Sequence, residues 1–328
     1  MPVLVVVEQG EGKATDPSLQ ALTLARSLGE PVHALLIGSS TDLSAHGVAV
    51  AHVAQHDALD SFAPDAWAAI VGQLADRLNA SAILAPGTEH GNEVMARVAA
   101  RTQLPLATNC IAVAPGNPVT LTRQRWGGSL LEEARLHSTR PLITVAPYTI
   151  AIVPSPAETA TDKFTPQLKE QEIVVKVAER VSTRGGGVSL AEAKVVVSGG
   201  RGVGSKEGFA IIEELASLLG GAVGCSRVVT SAGWRPHSDQ VGQTGTKVAP
   251  ELYIACGISG ATQHMAGCRG AKRILAINSD AEAPIMQNAD YAVVGDLKEI
   301  VPAISAELRK GRAVHASLPG PLPQGERG

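Results

Sequence analysis

The residues in this chain best suited to holding a ligand sit in short polar turns, each directly behind an apolar, β-branched run in the C-terminal half. After "KVVVS" comes "GGRGVGSKEG", where Gly202 adjoins Arg201. Glycines admit close backbone approach to a phosphate, a following helix start offers free N–H groups, and a guanidinium suits paired phosphate contacts. The spacing is neither G-x-G-x-x-G nor a Walker pattern, so this turn alone fits a dinucleotide contact and a solvated glycine turn equally well. "GCSRVVTSAGW" contributes Ser226 and Arg227, and "QVGQTGTKVAPELY" contributes Gln243 and Thr244. "GISGATQHMAG" supplies Gly257 and Gly260 for clearance, Ser259 as an expected helix cap, and His264 one turn into that helix. Asn278 ends "AIN" and Asp296 ends "VVGD". Singly, each reads as an ordinary turn residue. Together they are hydrogen-bonding groups with few fixed charges, since no formal charge lies between Glu251 and Arg269. That set suits a large ligand with polar edges. No Ser/His/Asp or Cys/His order and no carboxylate pair is placed for acid–base work, and no His/Cys cluster has metal spacing. The turns therefore predict no catalytic residues and no metal, and favour a redox carrier over a hydrolase or transferase.

Such turns need a scaffold that brings strand ends to one edge, and the apolar pattern provides it. In the first half, "VLVVVE", "VHALLIG" and "SAILAPG" read as strands. Between and after them, "DPSLQALTLARSLG", "PDAWAAIVGQLADRLNA" and "NEVMARVAARTQ" read as helices, the first with Asp16 as N-cap and Gly29 as stop. "PVTLTRQ", "PLITVAP" and "EIVVKVAERV" are expected as added strands. Alternating strands and helices imply βαβ units and a mainly parallel sheet. Gly185–Gly187 mark a break, after which the alternation restarts with strands at "KVVVSGG", "AVGCSRVVT", "ELYIACG", "RILAIN" and "YAVVGD" and a closing helix at "LKEIVPAISAELRKG". The fold class expected is α/β, with two doubly wound domains at 1–188 and 189–312, the second Rossmann-like, and a disordered Pro/Gly-rich tail at 313–328. In open parallel sheets ligands bind at the carboxyl ends of the strands, where these turns lie.

Composition narrows the function classes. Hydrophobic residues make up 45% of the 328 residues and charged residues 18%, enough for sizeable cores. A net charge of -3 gives no footprint for nucleic acid or an anionic membrane, and 3% aromatics leaves little for base stacking. The 4 cysteines form no C-x-x-C pair and read as free thiols in a reducing compartment. "MPVLVVVEQG" reads as a core strand rather than a signal peptide, and "PLITVAPYTIAIVPSP" is too short and Pro-broken to span a bilayer. A cytoplasmic location follows as an expectation.

These turns, in this order, resemble the electron transfer flavoprotein alpha (large) subunit family. The resemblance is carried by Leu252–Ala255, the Gly257–Gly260 turn, Gln263–His264, Gly267 and Ala276–Asn278, together with "GGRG", "SR", "QVGQTG", "DAEAPI" and "ADYAVVGDL". Thr262 departs from it, standing where an aliphatic residue is usual. The first half matches in layout and only weakly in sequence, notably around "TRQRWGGSLLEEARL".

The resemblance implies one FAD per chain, held by the second domain. It implies that Arg201 and Gly202 contact the pyrophosphate, that Ser226 hydrogen-bonds the cofactor, and that Arg227 lies against the isoalloxazine. It puts Gln243 and Thr244 near the ring, with the Thr hydroxyl near N5. Ser259 and the backbone around Gly257 and Gly260 would hold the phosphates. Gln263 and His264 would face the ribityl and pyrimidine side, and Asn278 and Asp296 the adenosine end. Gln240, Val241 and Leu297, inside the matched motifs, complete the implied set. A flavin taking up an electron gains negative charge over N1 and the C2 carbonyl, so Arg227, and His264 if protonated, would favour reduction. The resemblance further implies a heterodimer with a smaller beta subunit carrying AMP or a second flavin. Donor dehydrogenases, such as the acyl-CoA dehydrogenases of fatty acid β-oxidation, would pass electrons through it to a quinone-reducing or other respiratory acceptor. The first domain would be a scaffold against beta, although "LAPGTEHGNE" also fits a phosphate turn. The alternatives are a flavin- or nucleotide-dependent enzyme with its own substrate and a nucleotide-binding regulatory module.

Overall fold

The computed structural model describes residues 1–10, 12–128, 130–177, 189–191 and 193–316, with side chains to Lys310. The Gly185–Gly187 break and residues 317–328 lie outside the described residues. The chain divides into two compact units, Met1–Ser182 and Thr183–Gly328.

The first unit holds a nine-stranded sheet. In chain order its strands are β1 (Val3–Val6), β2 (Val32–Ile37), β3 (Val48–Ala54), β4 (Ala82–Pro86), β5 (Leu106–Ala114), β6 (Val119–Arg125), β7 (Leu130–Leu136), β8 (Leu142–Val145) and β9 (Ala160–Phe164). Across the sheet they run β9-β3-β2-β1-β4-β8-β5-β6-β7, parallel throughout except for the antiparallel β5–β6–β7 ribbon. β1 is buried at every position because both faces are covered, which is why its sequence is a continuous apolar run and not an alternation. Val3 and Val5 join the core under α1 (Asp16–Ala25) with Leu22. Leu4 and Val6 join the core under α2 (Pro64–Arg77) and α3 (Glu89–Thr102) with Ile70, Leu74 and Met95. Each such side chain contributes about 2 kcal/mol by leaving water.

Two local expectations are corrected here. The cap of α1 is Thr15, with Asp16 inside the first turn, where its charge still favours the helix dipole. The strand expected at 172–181 is absent over its described part. Glu170–Glu172 forms a 3-10 turn whose nearly buried Glu172 carboxylate accepts from the Lys169 N–H at 2.9 Å and pairs with Arg101. Val174 and Val175 are then left exposed, outside any strand. Residues 178–181 lie outside the described residues.

The second unit is an all-parallel five-stranded sheet of β10 (Val195–Gly199), β11 (Ala222–Cys225), β12 (Leu252–Cys256), β13 (Ile274–Asn278) and β14 (Tyr291–Val294), ordered β11-β10-β12-β13-β14. This is the 2-1-3-4-5 doubly wound order, whose switch point lies between β10 and β12. Side chains alternate between two cores. Val196, Tyr253, Ala255 and Ala276 face α6 (Thr262–Cys268) and α7 (Pro284–Gln287). Val197, Ile254, Cys256 and Ile277 face α4 (Ala210–Leu219) and α8 (Leu297–Ala316). Both sequence halves are thus α/β with large parallel sheets. The closing helix runs to Ala316, so residues 313–316, expected in a disordered tail, are helical. The strand expected at "AVGCSRVVT" stops at Cys225, and α5 (Arg227–Ser231) follows. Its β-branched residues are helical because Val229 fills the core beneath β10 and the Thr230 hydroxyl bonds back to the Arg227 carbonyl at 2.9 Å.

Candidate functional site

The strand ends of the second unit enclose a cleft of about 730 Å³ at the switch point. Ligand sites of a few hundred to a thousand Å³ are usual for cofactors and drug-sized molecules. Its floor is two turns packed backbone to backbone. Gly200 N–H donates to the Cys256 carbonyl at 2.8 Å and Gly202 N–H to the Gly257 carbonyl at 3.1 Å. A Cβ on Gly202 would stand 2.8 Å from Gly257 Cα, and Gly257 itself has φ +63°. These glycines therefore serve first to let the two turns meet.

The cleft brings together Arg201, Gly202, Ser226, Arg227, Gln240, Val241, Gln243, Thr244, Gly257, Ser259, Gln263, His264 and Asn278 from the expected set. It leaves out three others. Gly260, at φ +83°, packs its backbone against Ile285. Asp296 accepts from the Lys298 N–H at 2.8 Å and so starts α8. Leu297 is buried in the core behind the Gly257 turn. Ser259 borders the cleft, but the cap of α6 is Ala261, and the Ser259 carbonyl accepts from Ile285 N–H at 3.1 Å. Asn278 already holds the Ile258 carbonyl at 2.9 Å and the Asp280 N–H at 3.1 Å, which fixes the neighbouring turns.

Several lining residues have no counterpart in the expected set: Val228, Ser231, Gly242, Ile258, Ala261, Asp280 and Ala283. Gly242, Ile258 and Ala261 lie inside turns whose neighbours were singled out. Asp280 and Ala283 fall in "DAEAPI". Arg227, Val228 and Ser231 line the cleft together because they share one face of α5, a signal that reading 222–230 as strand concealed.

The loop 240–246 is held by hydrogen bonds on every side. Gln243 N–H donates to the Gln263 carbonyl at 2.7 Å and Thr246 N–H to the Gln240 carbonyl at 2.7 Å. Gln240, 2% exposed, accepts from the Thr230 hydroxyl at 2.7 Å and donates through Nε2 to Thr244 Oγ1 at 3.0 Å. Because Thr244 Oγ1 accepts there, its own proton is left to donate elsewhere.

The charged side chains that line the cleft are Arg201, Arg227 and Asp280. Among the described residues neither Arg201 nor Arg227 forms an ion pair, whereas Arg235 is held by Glu213 and Asp239 and Arg273 by Asp290. Two guanidiniums against the single carboxylate of Asp280 leave the lining net positive, which favours an anionic ligand. His264, 7% exposed, is turned so that Nε2 meets the Tyr253 hydroxyl at 2.9 Å, while Nδ1 is buried without a hydrogen-bond partner. Burial pushes its pKa down to about 4, which the nearby Val241 backbone only partly opposes. The condition under which His264 would add a charge is therefore not met: it is neutral at physiological pH and acts as an uncharged hydrogen-bonding group. No group of His, Cys, Asp and Glu side chains among the described residues is arranged to hold a metal. Cys110, Cys225, Cys256 and Cys268 are free and buried, and burial pushes each thiol up to about 12, so none is a thiolate nucleophile.

Residues 189–269, which supply most of this cleft, match the family model of the electron transfer flavoprotein FAD-binding domain, and residues 3–170 match that of the electron transfer flavoprotein domain. Similar proteins align over nearly the whole chain. An electron transfer flavoprotein subunit alpha from Mycobacterium leprae is 38% identical over 94% of this chain and 99% of its own length. "Protein FixB" from Clostridium saccharobutylicum is 37% identical over 94% of this chain and 96% of its own. An electron transfer flavoprotein subunit alpha from Thermoanaerobacterium thermosaccharolyticum is 36% identical over 94% and 98% respectively.

Proposed function

Because the chain belongs to the electron transfer flavoprotein alpha-subunit family and carries that family's FAD-binding domain, we propose that it is an electron carrier and not an enzyme with its own substrate. When bound, FAD supplies the capacity to take up and give away electrons at its isoalloxazine ring. The observation that carries the reading is the cleft itself. It combines two unpaired guanidiniums, an orphaned buried imidazole nitrogen and glycine clearance, with no nucleophile–base pair for a substrate. These features fit FAD, which has an anionic pyrophosphate at its middle and a neutral ring with polar edges at one end.

In this reading Arg201 and the Gly202 backbone hold the pyrophosphate, with Ser226 and Ser259 as further donors. Arg227 sits against the ring and favours its negatively charged forms. Thr244, its hydroxyl oriented by Gln240, and neutral His264 donate hydrogen bonds to ring edges without burying a charge. Gln243 and Gln263 close the side of the cleft, and Asn278 shapes its floor.

Residues 1–188 form a scaffold domain that pairs with a beta subunit, and residues 189–312 form the cofactor domain. The electrons come from flavin dehydrogenases, with acyl-CoA dehydrogenases the first candidates, and leave to a quinone-reducing or other respiratory acceptor. The chain works in the cytoplasm; no helix among the described residues is long and apolar enough to cross a membrane.

The test is purification of the full chain with whatever co-purifies, followed by a visible spectrum and identification of the released cofactor. A yellow complex with a smaller subunit that releases FAD, and is reduced by a dehydrogenase but not by that enzyme's substrate alone, is the expected result. Direct reduction by a small-molecule substrate would convert the reading to an enzyme.

A further inference from the structure

Behind the cleft wall lies a polar contact that the carrier reading does not require. Tyr253, in the middle of the sheet on β12, is fully buried and does not border the cleft. Its hydroxyl meets Nε2 of His264 at 2.9 Å. A buried tyrosine in a sheet core loses packing freedom and needs a partner for its hydroxyl, so apolar packing alone would be served as well by phenylalanine. His264 borders the cleft and has one ring nitrogen turned to that phenol and the other, Nδ1, buried without a hydrogen-bond partner.

A neutral imidazole carries its proton on one nitrogen only, and the partner of the other nitrogen decides which. If Nε2 held the proton, it would donate to the phenol oxygen. The phenol would then have to donate elsewhere, and the cleft would face a bare lone pair on Nδ1. If the phenol donates, Nε2 accepts and Nδ1 must carry the proton. The second arrangement also leaves the phenol oxygen free to accept from the buried Ser198 hydroxyl beside it.

We infer that Tyr253 is a positioning residue: its hydroxyl, 2.9 Å from Nε2, fixes His264 in the Nδ1–H form, so that the cleft is offered an uncharged hydrogen-bond donor and never an acceptor. This deepens the carrier reading and rests on it, since the ligand that receives the donor there is the flavin's electron-rich pyrimidine edge. A neutral donor supports charge that builds up on reduction while leaving the oxidised ring bound without an unpaired buried cation.

The tautomer can be measured whether or not flavin is bound. The full chain, with any subunit that co-purifies, is labelled with 15N-histidine, and the His264 signals are identified by their loss in His264→Gln. The expected spectrum shows a protonated Nδ1 and a bare Nε2, in FAD-loaded and FAD-free protein alike. Tyr253→Phe, which keeps the ring and removes the hydroxyl, is expected to give a mixture of tautomers or the Nε2–H form. In the loaded protein it should lower the equilibrium constant for flavin reduction about three- to tenfold, the worth of one hydrogen bond. A protonated Nε2 in the wild type, or an unchanged tautomer in Tyr253→Phe, overturns the inference. Should that variant not fold, 3-fluorotyrosine at the 3 tyrosines of the chain replaces it. A more acidic phenol must then shift the Nε2 resonance, and an unmoved resonance overturns the inference equally. A chain that binds no flavin yet shows the tyrosine-dependent tautomer would sink the carrier reading and leave the tautomer lock standing.

Discussion

The two units are both doubly wound, and each has a switch point where a ligand would be expected, but they fill that point in opposite ways. In the first unit the turn after β1 carries Glu8, whose Oε1 accepts from the Thr88 hydroxyl at 2.6 Å; Thr88 in turn caps α3 by accepting from Gly91 N–H at 2.9 Å. The chain's own carboxylate thus stands at the helix start where a phosphate would bind. Burial raises the Glu8 pKa, and the Thr88 and Gly91 hydrogen bonds only partly oppose it. In the second unit the corresponding turns carry Arg201, which forms no ion pair among the described residues, and meet through glycines. The architecture offers a site twice; the residues in the turns decide that one is plugged and the other open. At the start of α3 the Gly91 N–H is already taken by Thr88, which weighs against the phosphate-turn reading of "LAPGTEHGNE".

The comparison is most sharply broken at Gly257. Gly257→Ala would place a Cβ 2.7 Å from Leu297 Cδ2 and 2.8 Å from Gly202 Cα at a backbone φ of +63°. A loss of roughly 2–4 kcal/mol in stability and loss of retained flavin are expected, read by thermal unfolding and FAD content. Next is His264→Gln. The folded imidazole has its pKa near 4 and the unfolded one near 6.5. The wild-type contribution is therefore fully present above 6.5 and is lost as pH falls toward 4, about 3 kcal/mol across that window. The variant should lack that slope in denaturant titrations at a series of pH values. Arg227→Ala tests the open site electrically: FAD stays bound, and the one-electron midpoint potential falls by ~60 mV, a tenfold change. An unchanged potential would remove Arg227 from the ring. The smallest effect is expected at the plugged site. Glu8→Gln keeps an acceptor for Thr88 but cannot ionise. Because the wild-type pKa is raised on folding, the wild type loses stability as pH rises above 4.5 through the folded value. The variant should match it in acid, exceed it slightly at neutral pH, and bind FAD unchanged.

Much of this arrangement was legible in the sequence, and the failures have local causes. The parallel strands of both cores announced themselves as apolar runs bounded by glycine, and the turns behind them met at one edge because parallel strands put all their carboxyl ends there. β7, "LLEEARL", was missed because it pairs in an antiparallel ribbon whose exposed Leu130 and Leu131 break the usual inward pattern. β9 was missed because "ATDKF" has little apolar content and is recruited by pairing with β3. The run at 172–177 reads as strand by composition, yet the anchoring of Glu172 turns the chain instead. In the site, Tyr253 and Gln240 act from behind the cleft, and nothing in the spacing of a core strand reveals that its tyrosine reaches a histidine 11 residues on. Asp296 and Leu297 sit in matched motifs, but their work is to start and seat α8.

The central claim is that the open switch point of the second unit, and not the plugged one, holds the cofactor. Its most direct test is FAD bound per chain, by absorbance and equilibrium titration, in wild type, Arg201→Ala and Glu8→Gln side by side. One equivalent in the wild type, affinity about tenfold to a hundredfold weaker in Arg201→Ala from loss of charge-assisted hydrogen bonds, and no change in Glu8→Gln is the predicted result. Full affinity in Arg201→Ala, or weakened binding in Glu8→Gln, would contradict the account.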